Sequence, residues 1–422
     1  MLRVEDNERL VRVGPGTPGG EMMRRYWQPF LLSSELPEAD GAPIRVRLLG
    51  EDLVAYRDTN GEIGLLDAFC PHRRAPLFFG RNEECGLRCV YHGWKFDRNG
   101  DCTDMPSEPA GTPLQARVKI KAYPTYEAGG VVFAYLGPKE HKPPPPAYEW
   151  MRAPATHRHV SKTLQHSNYL QGLEGGLDTA HVGFLHKDDR NAVTRLSALD
   201  TTPRLDVEVT DYGYYYVSHR RIAEDEKYIR IYQYVMPAQQ MRPSVISSYG
   251  KKQDVPTIDG HIWVPIDDEH TFVYNIIYSY DENAPLTEEF LTEEEAFFGR
   301  APTDYIPGTF RLKQNASNDY LVDRQLQKQG NFSGIVGVNT QDMALQEGMG
   351  AIVDRSKEFL GTTDRAIVTM RRLMLEAVRT VEEGGQPRGV LPDQHAVARA
   401  YDDIVRPEVA LETLLEEAVA KW

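Results

Sequence analysis

Two short motifs limit what this chain can become more than any other part of it: Cys70-Pro71-His72 and Cys89-Val90-Tyr91-His92. Each motif offers one thiolate and one imidazole, so together they supply two Cys and two His ligands. This is the ligand set of a Rieske [2Fe-2S] centre, in which two His replace two Cys on one iron. A Cys2His2 zinc site uses the same ligand types, but zinc motifs pair Cys with Cys and His with His. The spacing therefore predicts an iron-sulfur cluster held by two loops, with a zinc-stabilised binding module as the alternative.

A second group of possible metal ligands lies further along, at Asp178, His181 and His186. On a helix, Glu174, Asp178 and His181 occupy positions i, i+4 and i+7 and share one face. His186 lies about 140° around such a helix from His181, so the helix must end or distort before His186. Two His and one carboxylate form the facial triad of non-haem Fe(II) enzymes, which leaves positions open for dioxygen. The pattern predicts an iron site that receives single electrons from the cluster.

The motifs resemble those of the Rieske non-haem iron oxygenases, a family that hydroxylates or O-demethylates aromatic compounds. The resemblance rests on Cys70-Pro71-His72-Arg73, on Cys89 to Phe96 and on Asp178-x-x-His181-x-x-x-x-His186. It covers nearly the whole chain. The nearest branch contains the oxygenase components of the phthalate 4,5-dioxygenase and dehydrodivanillate O-demethylase type.

The resemblance implies a role for each candidate ligand. The implied ligands are Cys70, His72, Cys89 and His92 for the cluster, and His181, His186 and Asp342 for the mononuclear iron. Glu347 and Asp354 are alternatives for the third iron ligand. As a further alternative, Asp342 only caps the helix predicted at residues 339–347, where Thr340 is a rival cap.

The resemblance also implies that Asp178 joins His181 to His92 of the partner subunit. A ligand His normally donates its second ring N–H to a carboxylate, so a shared carboxylate gives electrons a short hydrogen-bonded path. Such a bridge requires a ring of subunits, a homotrimer or a hexamer of stacked trimers. For Glu174 two interpretations stay open, an outer partner of the iron ligands or a satisfied polar residue nearby.

Hydrophobic patterning predicts two domains and an α+β catalytic part. Residues 1–145 are expected to form an N-terminal helix plus an all-β Rieske domain, ending in the proline-rich linker 142–146. Residues 146–422 are expected to form a twisted antiparallel sheet covered by helices, of helix-grip type. The predicted strands are 44–48, 53–56, 63–66, 118–120, 131–135, 205–209, 214–219, 228–235, 262–265 and 271–280, and the predicted helices are 21–27, 288–298, 366–382 and 408–421.

Composition and charge exclude several function classes. The chain has 62 acidic and 48 basic residues, a net charge of −14, which disfavours binding to nucleic acid or anionic membranes. No apolar run approaches the ~20 residues of a membrane span, and the polar amino terminus predicts a cytoplasmic protein. In that reducing compartment Cys85 and Cys102 are expected to be free thiols, with a disulfide or extra metal ligation as alternatives.

The stretch Gly14-Pro15-Gly16-Thr17-Pro18-Gly19 matches the dinucleotide fingerprint G-x-G-x-x-G. We interpret it as a turn, because its prolines lack backbone donors for a pyrophosphate and no buried strand precedes it. Thr17 is expected to cap a short helix. Electrons must then come from NAD(P)H through a separate reductase, with a ferredoxin as a possible intermediate carrier.

Together these features predict an enzyme that uses dioxygen on an aromatic carboxylate. The favoured reaction is O-demethylation of a lignin-derived methoxylated aromatic acid, and the alternative is cis-dihydroxylation of a dicarboxylate such as phthalate. A Rieske electron carrier is the alternative from another class, although a carrier needs no second metal site. Candidate anchors for the substrate carboxylate are Arg204, Arg220, Arg230 and Arg242.

Overall fold

The structure is a computed structural model that describes residues 1–187 and 195–422. The chain divides into a smaller unit, Val13–Pro145, and a larger unit made of Met1–Arg12 together with Pro146–Trp422. The first helix, α1 (Val4–Val11), was not predicted and belongs to the larger unit, whereas the predicted boundary placed residues 1–12 with the smaller one. Its Leu10 is buried, and the Tyr169 hydroxyl donates to the Leu10 carbonyl at 3.0 Å. An amphipathic pattern shows that a helix needs a partner without showing which unit supplies it.

The smaller unit is built from antiparallel strands in three small sheets, ordered β1-β10-β9, β2-β3-β4 and β5-β6-β7-β8. The strands are β1 (Trp27–Leu32), β2 (Ile44–Leu48), β3 (Glu51–Arg57), β4 (Ile63–Asp67), β5 (Arg81–Glu83), β6 (Gly86–Arg88), β7 (Lys95–Phe96), β8 (Cys102–Asp104), β9 (Thr125–Ala128) and β10 (Val131–Tyr135), and the helices are α2 (Pro18–Met23) and α3 (Leu114–Arg117).

Most strand predictions for this unit are confirmed, namely 44–48, 53–56, 63–66 and 131–135. The strand predicted at 118–120 is wrong, because Lys119 forms only an isolated bridge with Asp101. The Thr17 hydroxyl caps α2 by accepting from the Gly20 N–H at 3.1 Å, which confirms the turn in place of a dinucleotide loop. Helix α2 ends at Met23, earlier than predicted, because Trp27 already begins the buried strand β1.

The larger unit contains an antiparallel eight-stranded sheet with the order β11-β17-β16-β15-β14-β13-β12 and with β18 paired to β14. Its strands are β11 (Arg158–Gln165), β12 (Arg204–Val209), β13 (Gly213–Arg221), β14 (Lys227–Val235), β15 (Gln239–Ile246), β16 (Lys252–Pro265), β17 (Thr271–Ser279) and β18 (Tyr401–Val405). The predicted antiparallel sheet is confirmed, but β11, β15 and β18 were not predicted.

Helices pack on this sheet, and the α+β fold class is confirmed. Besides α1, the helices of this unit are α4 (Glu149–Arg152), α5 (Tyr169–Leu177), α6 (Leu196–Leu199), α7 (Glu288–Phe298), α8 (Arg324–Gln329), α9 (Val338–Gly348), α10 (Arg365–Glu382), α11 (Pro392–His395) and α12 (Leu411–Glu417). Helix α12 is shorter than predicted. Within residues 1–187 and 195–422, no helix has the length and apolar character to cross a membrane.

Helix α5 lies unusually close to the sheet. A Cβ added at Gly172 or Gly176 would collide with the ring of Trp263 on β16. Only glycine permits this approach, because it alone has no side chain between the helix backbone and the ring. The contact fixes α5 over the middle of the sheet, and the segment that follows the helix is fixed with it.

Candidate metal centres and substrate cavity

Two loops of the smaller unit bring the four predicted cluster ligands together. Cys70 follows β4 and Cys89 follows β6, and both thiols are buried in the core of the unit. The rings of His72 and His92 have centroids 4.4 Å apart. The Nδ1 atom of His72 is buried without a hydrogen-bond partner in the described chain, although buried polar atoms are normally paired. Two buried thiols beside an unpaired imidazole nitrogen fit a Rieske [2Fe-2S] cluster.

The surroundings hold these ligands in place and favour the thiolate form of Cys89. Trp94 stacks on His72 with ring centroids 4.3 Å apart and donates to the Ser107 hydroxyl at 3.0 Å. A hydrogen bond from the Cys70 thiol lowers the pKa of Cys89 to about 6. The same hydrogen bond, together with burial, raises the pKa of Cys70. The thiolate is the form that binds metal, so Cys89 is the first of the two thiols to reach that form.

The larger unit brings His181, His186 and Asp342 together. The two Nε2 atoms are 3.1 Å apart, and the Asp342 Oδ1 lies 3.5 Å from that of His181 and 3.3 Å from that of His186. The three ligand atoms all lie within 4.8 Å of one another, so they could hold a metal ion. Two imidazoles and one carboxylate facing a shared point fit the facial triad of a non-haem iron.

The rival carboxylates are engaged elsewhere. Glu347 accepts from the His166 N–H at 2.9 Å and from the Tyr320 hydroxyl. Asp354 accepts from the Ser356 N–H at 3.1 Å and caps a short 3-10 turn. Asp342 is therefore the carboxylate that the structure brings to the two histidines.

The local backbone differs from the prediction that Glu174, Asp178 and His181 share one helical face. Helix α5 ends at Leu177, and His181 begins a separate 3-10 turn. The cause is the Asp178 side chain, whose Oδ1 accepts from the Ala180 N–H at 2.7 Å and so competes with the helix. Glu174 is bound by Arg355 at 2.9 Å and Arg371 at 2.6 Å, which makes it a satisfied structural residue.

Two further side chains orient the histidines. The Asp178 Oδ2 lies 3.4 Å from the Nδ1 of His181, and the Gln341 Oε1 lies 2.7 Å from the Nδ1 of His186. Burial opposes ionisation of Asp178, but the hydrogen bond and charge of His181, together with the backbone N–H groups of Ala180 and His181, outweigh it and lower the pKa of Asp178. Both contacts leave Nε2 free to face the shared point. The sequence did not predict the role of Gln341; its position directly before Asp342 on α9 was the available signal.

The three residues open into a cavity of about 420 Å³. One wall is a face of the sheet, formed by alternate residues of β14 to β17, and the others come from α5, α7 and α9. Side chains alternate between the two faces of a strand, so the residues at 228, 230 and 232, and those at 240, 242 and 244, point the same way. This wall of the cavity is therefore formed by every second residue of each strand.

The candidate arginines divide into three groups. Arg230 and Arg242 line the cavity. Arg204 is exposed and pairs with Asp206, and Arg220 is buried and donates to two backbone carbonyls away from the cavity lining. Arg195 also lines the cavity and was not singled out in the sequence.

Comparison with known proteins identifies both units. The Rieske [2Fe-2S] domain model matches residues 26–124, and the model described as LigXa C-terminal domain like matches residues 134–415. The phthalate 4,5-dioxygenase oxygenase subunit of Pseudomonas putida is 40% identical over 91% of this chain and 88% of its own length. The chain belongs to the Rieske non-haem iron oxygenases.

Two other relatives of this Rieske oxygenase cover most of its length. The 3-chlorobenzoate-3,4-dioxygenase oxygenase subunit of Comamonas testosteroni is 38% identical over 99% of both chains. The 5,5'-dehydrodivanillate O-demethylase oxygenase subunit of Sphingobium sp. is 33% identical over 93% of this chain and 84% of its own. Dicamba monooxygenase bound to dicamba shares the fold, with a TM-score of 0.60 at 17% identity, covering 85% of this chain and 98% of that one.

Family membership decides between the alternatives left open by the sequence. A Rieske oxygenase carries a Rieske [2Fe-2S] cluster and a mononuclear iron, so neither a zinc module nor an electron carrier describes this chain. None of the four cysteines, all of them in the described residues, forms a disulfide. Cys102 is buried, and its Sγ lies 3.4 Å from the Asp104 carbonyl oxygen.

Proposed function

We propose that this oxygenase acts on an aromatic carboxylate that is bound by Arg242. The observation that carries the proposal is the state of this guanidinium. It lines the cavity shared with His181, His186 and Asp342, and within the described chain it donates no hydrogen bond. It forms an ion pair with Asp259, whose Oδ2 is 3.7 Å from Nε, a distance longer than a hydrogen bond. A planar fork of unused donors matches a carboxylate.

Arg230 is less suited to this role because part of its donor set is already used. Its Nη2 donates to the Pro243 carbonyl at 2.6 Å, and its Nε lies 3.7 Å from Asp402. The ring of Tyr232 covers it, with the guanidinium carbon 4.9 Å from the centroid. We assign Arg230 to shaping the cavity and Arg242 to binding the substrate.

We also propose the ligand roles implied by the geometry. Cys70, His72, Cys89 and His92 hold the cluster, and His181, His186 and Asp342 hold the iron. The bound groups supply single electrons and dioxygen activation. The chain itself binds the aromatic ring against the sheet, orients the two histidines through Asp178 and Gln341, and limits water in the cavity with Phe297 and Phe298.

The reaction is O-demethylation or ring dihydroxylation. We propose O-demethylation of a methoxylated aromatic acid, in which the methoxy carbon is hydroxylated and leaves as formaldehyde. Arg230 and Arg195 each already donate a hydrogen bond to a backbone carbonyl, so Arg242 is the guanidinium best suited to a carboxylate, which supports a substrate with one carboxylate over a dicarboxylate. Ring cis-dihydroxylation is the second candidate, because the relatives at 40% and 38% identity are named dioxygenases.

Electron supply requires partners. We propose that an NAD(P)H-dependent reductase, with or without a ferredoxin, reduces the cluster. Asp178 then joins His181 to His92 of the partner subunit in a homotrimer or a hexamer, so that each iron receives electrons from a neighbouring chain.

The test is single turnover of the iron-loaded, dithionite-reduced protein with dioxygen. Formaldehyde from 4-hydroxy-3-methoxybenzoate supports O-demethylation, and loss of aromatic absorbance from benzoate or phthalate supports dihydroxylation. In steady-state assays, Arg242→Met is expected to raise KM by about 10- to 100-fold, because a charged hydrogen bond is lost. Arg204→Met is the matched exposed control. An unchanged KM in Arg242→Met, or no product from any aromatic acid, contradicts the proposal.

A further inference from the structure

Two carboxyl side chains lie in the cavity near the proposed carboxylate anchor. Asp259 is the cross-strand neighbour of Arg242 and is only 9% exposed, and its partner in the described part of the chain is the Arg242 guanidinium, whose Nε lies 3.7 Å from Oδ2. Glu294 on α7 lines the same cavity and has neither a hydrogen bond nor an ion pair among the described residues. A cavity for an anionic substrate gains nothing from carboxylates unless they bind something.

A third polar group in the same cavity has one unpaired ring nitrogen. His261 follows Asp259 by two residues on β16, so both side chains lie on the same face of the strand. It lines the cavity, is only 5% exposed, and its Nδ1 has no hydrogen-bond partner in the described structure. Burial and the nearby Arg242 and Arg300 lower the pKa of His261 and keep the ring neutral. Leaving buried polar groups unpaired costs free energy, which a ligand that pairs them would recover.

The charges around Glu294 show why its carboxylate is free to accept a hydrogen bond. Arg300 faces it, but this guanidinium is bound by Glu295 at 3.0 and 3.1 Å and by Asn339 at 2.9 Å. Arg242 is the second cation that acts on Glu294 in the described residues, and it already forms an ion pair with Asp259. Burial and repulsion from Asp259 raise the pKa of Glu294 to about 7, so the carboxylate gains from any donor that approaches it.

We propose that Asp259, Glu294 and His261 form an acceptor subsite that receives a hydrogen bond from a hydroxyl or amino substituent of the aromatic acid. The inference rests on the proposed function, because Arg242 must hold the carboxylate for the substituent to reach the subsite. The same two carboxylates repel a second carboxylate on the ring. The preferred substrates are therefore hydroxylated or aminated aromatic monocarboxylates, and dicarboxylates are disfavoured.

Binding measured without turnover tests this. Anaerobic titration calorimetry of the iron-loaded protein at pH 8, where Glu294 is ionised, would compare benzoate, the three hydroxybenzoates and the three benzenedicarboxylates. At least one hydroxybenzoate is expected to bind about tenfold tighter than benzoate, as a charge-assisted hydrogen bond allows. No dicarboxylate is expected to bind tighter than benzoate.

Variants connect the selectivity to the subsite. Glu294→Gln is expected to reduce the hydroxybenzoate advantage to about twofold and to strengthen the best dicarboxylate about tenfold, because a repelling charge is removed. Asp259→Asn should change the two affinities in the same direction, and it replaces Glu294→Gln as the test variant if that protein folds poorly. Glu293→Gln, an exposed neighbour on α7, is the matched control and should change nothing.

The outcomes separate the two proposals. If benzoate binds but a dicarboxylate binds tenfold tighter, or if neither Glu294→Gln nor Asp259→Asn changes the ratios, the acceptor subsite is wrong while the proposed function stands. If none of the acids binds, the proposed function is contradicted and the inference is overturned with it.

Discussion

Glu294 is a carboxylate whose surroundings disfavour its charge. Its pKa of about 7 lies above the ordinary value near 4.5, because burial and Asp259 both oppose ionisation. The folded state therefore keeps the proton to a higher pH than the unfolded chain does. Stability falls as pH rises from about 4.5 to 7, and the full cost persists above that range.

This cost predicts a stabilising substitution. Glu294→Gln removes the charge and should raise Tm by roughly 1–3 °C at pH 8, with almost no effect at pH 5, where the wild-type side chain is already neutral in the folded state. The partial exposure of Glu294 keeps the effect small. Calorimetry of both proteins at the two pH values is the measurement, with Glu293→Gln as the control. A variant equally stabilised at both values would show that charge is not the cause.

At the scale of single elements, α5 depends on one buried cap. The Asn168 Oδ1 accepts from the Leu170 N–H at 3.2 Å, and its Nδ2 donates to the Val11 carbonyl at 2.9 Å and the Asp268 carbonyl at 2.7 Å. The side chain is fully buried. One residue thus joins the start of α5 to two other segments of the larger unit.

Asn168→Ala should lower the free energy of unfolding by about 2–3 kcal/mol, because two buried carbonyls lose their donor along with the cap. Thr287→Ala removes an exposed cap from α7 and is expected to cost about 1 kcal/mol. Urea unfolding of the larger unit measures both. Equal costs for the two variants would mean that the buried carbonyls contribute little.

The elements also show what the sequence could predict. The two-loop motif and the paired histidines were visible because their ligands are close in the chain. Strand β15 was missed because polar residues such as Gln240 and Arg242 face the cavity and disrupt the apolar alternation that marks a strand. The early end of α5 was missed because the Asp178 side chain competes with the helix, which residue spacing does not reveal.

On the scale of the whole molecule, the first twelve residues contribute to the stability of the larger unit. Asn7 of α1 donates to the Val353 carbonyl at 3.1 Å and accepts from Arg355 at 3.1 Å, and Arg355 in turn binds Glu174. Deleting residues 1–12 should lower the melting transition of the larger unit by ~5 °C or more and leave the visible spectrum of the cluster intact. Loss of the cluster spectrum with an unchanged transition would contradict the assignment of α1.

The proposed bridge between subunits gives a second prediction at this scale. Asp178→Asn should slow oxidation of the cluster in single turnover by about 10- to 100-fold, because the carboxylate no longer orients His181. Iron content and the trimer or hexamer mass by sedimentation should be unchanged. Asp206→Asn, an exposed carboxylate on β12, is the control. Normal electron transfer in Asp178→Asn would rule out the bridge.

The contact of α5 with Trp263 limits how this enzyme can acquire new substrates. Gly172 and Gly176 leave no space between helix and ring, so a larger residue at either position must displace α5, and with it the segment that carries His181 and His186. The walls formed by β15 and α7 carry no proposed metal ligand. Divergence among related genes should therefore accumulate on those two elements, and libraries for directed evolution are best concentrated there.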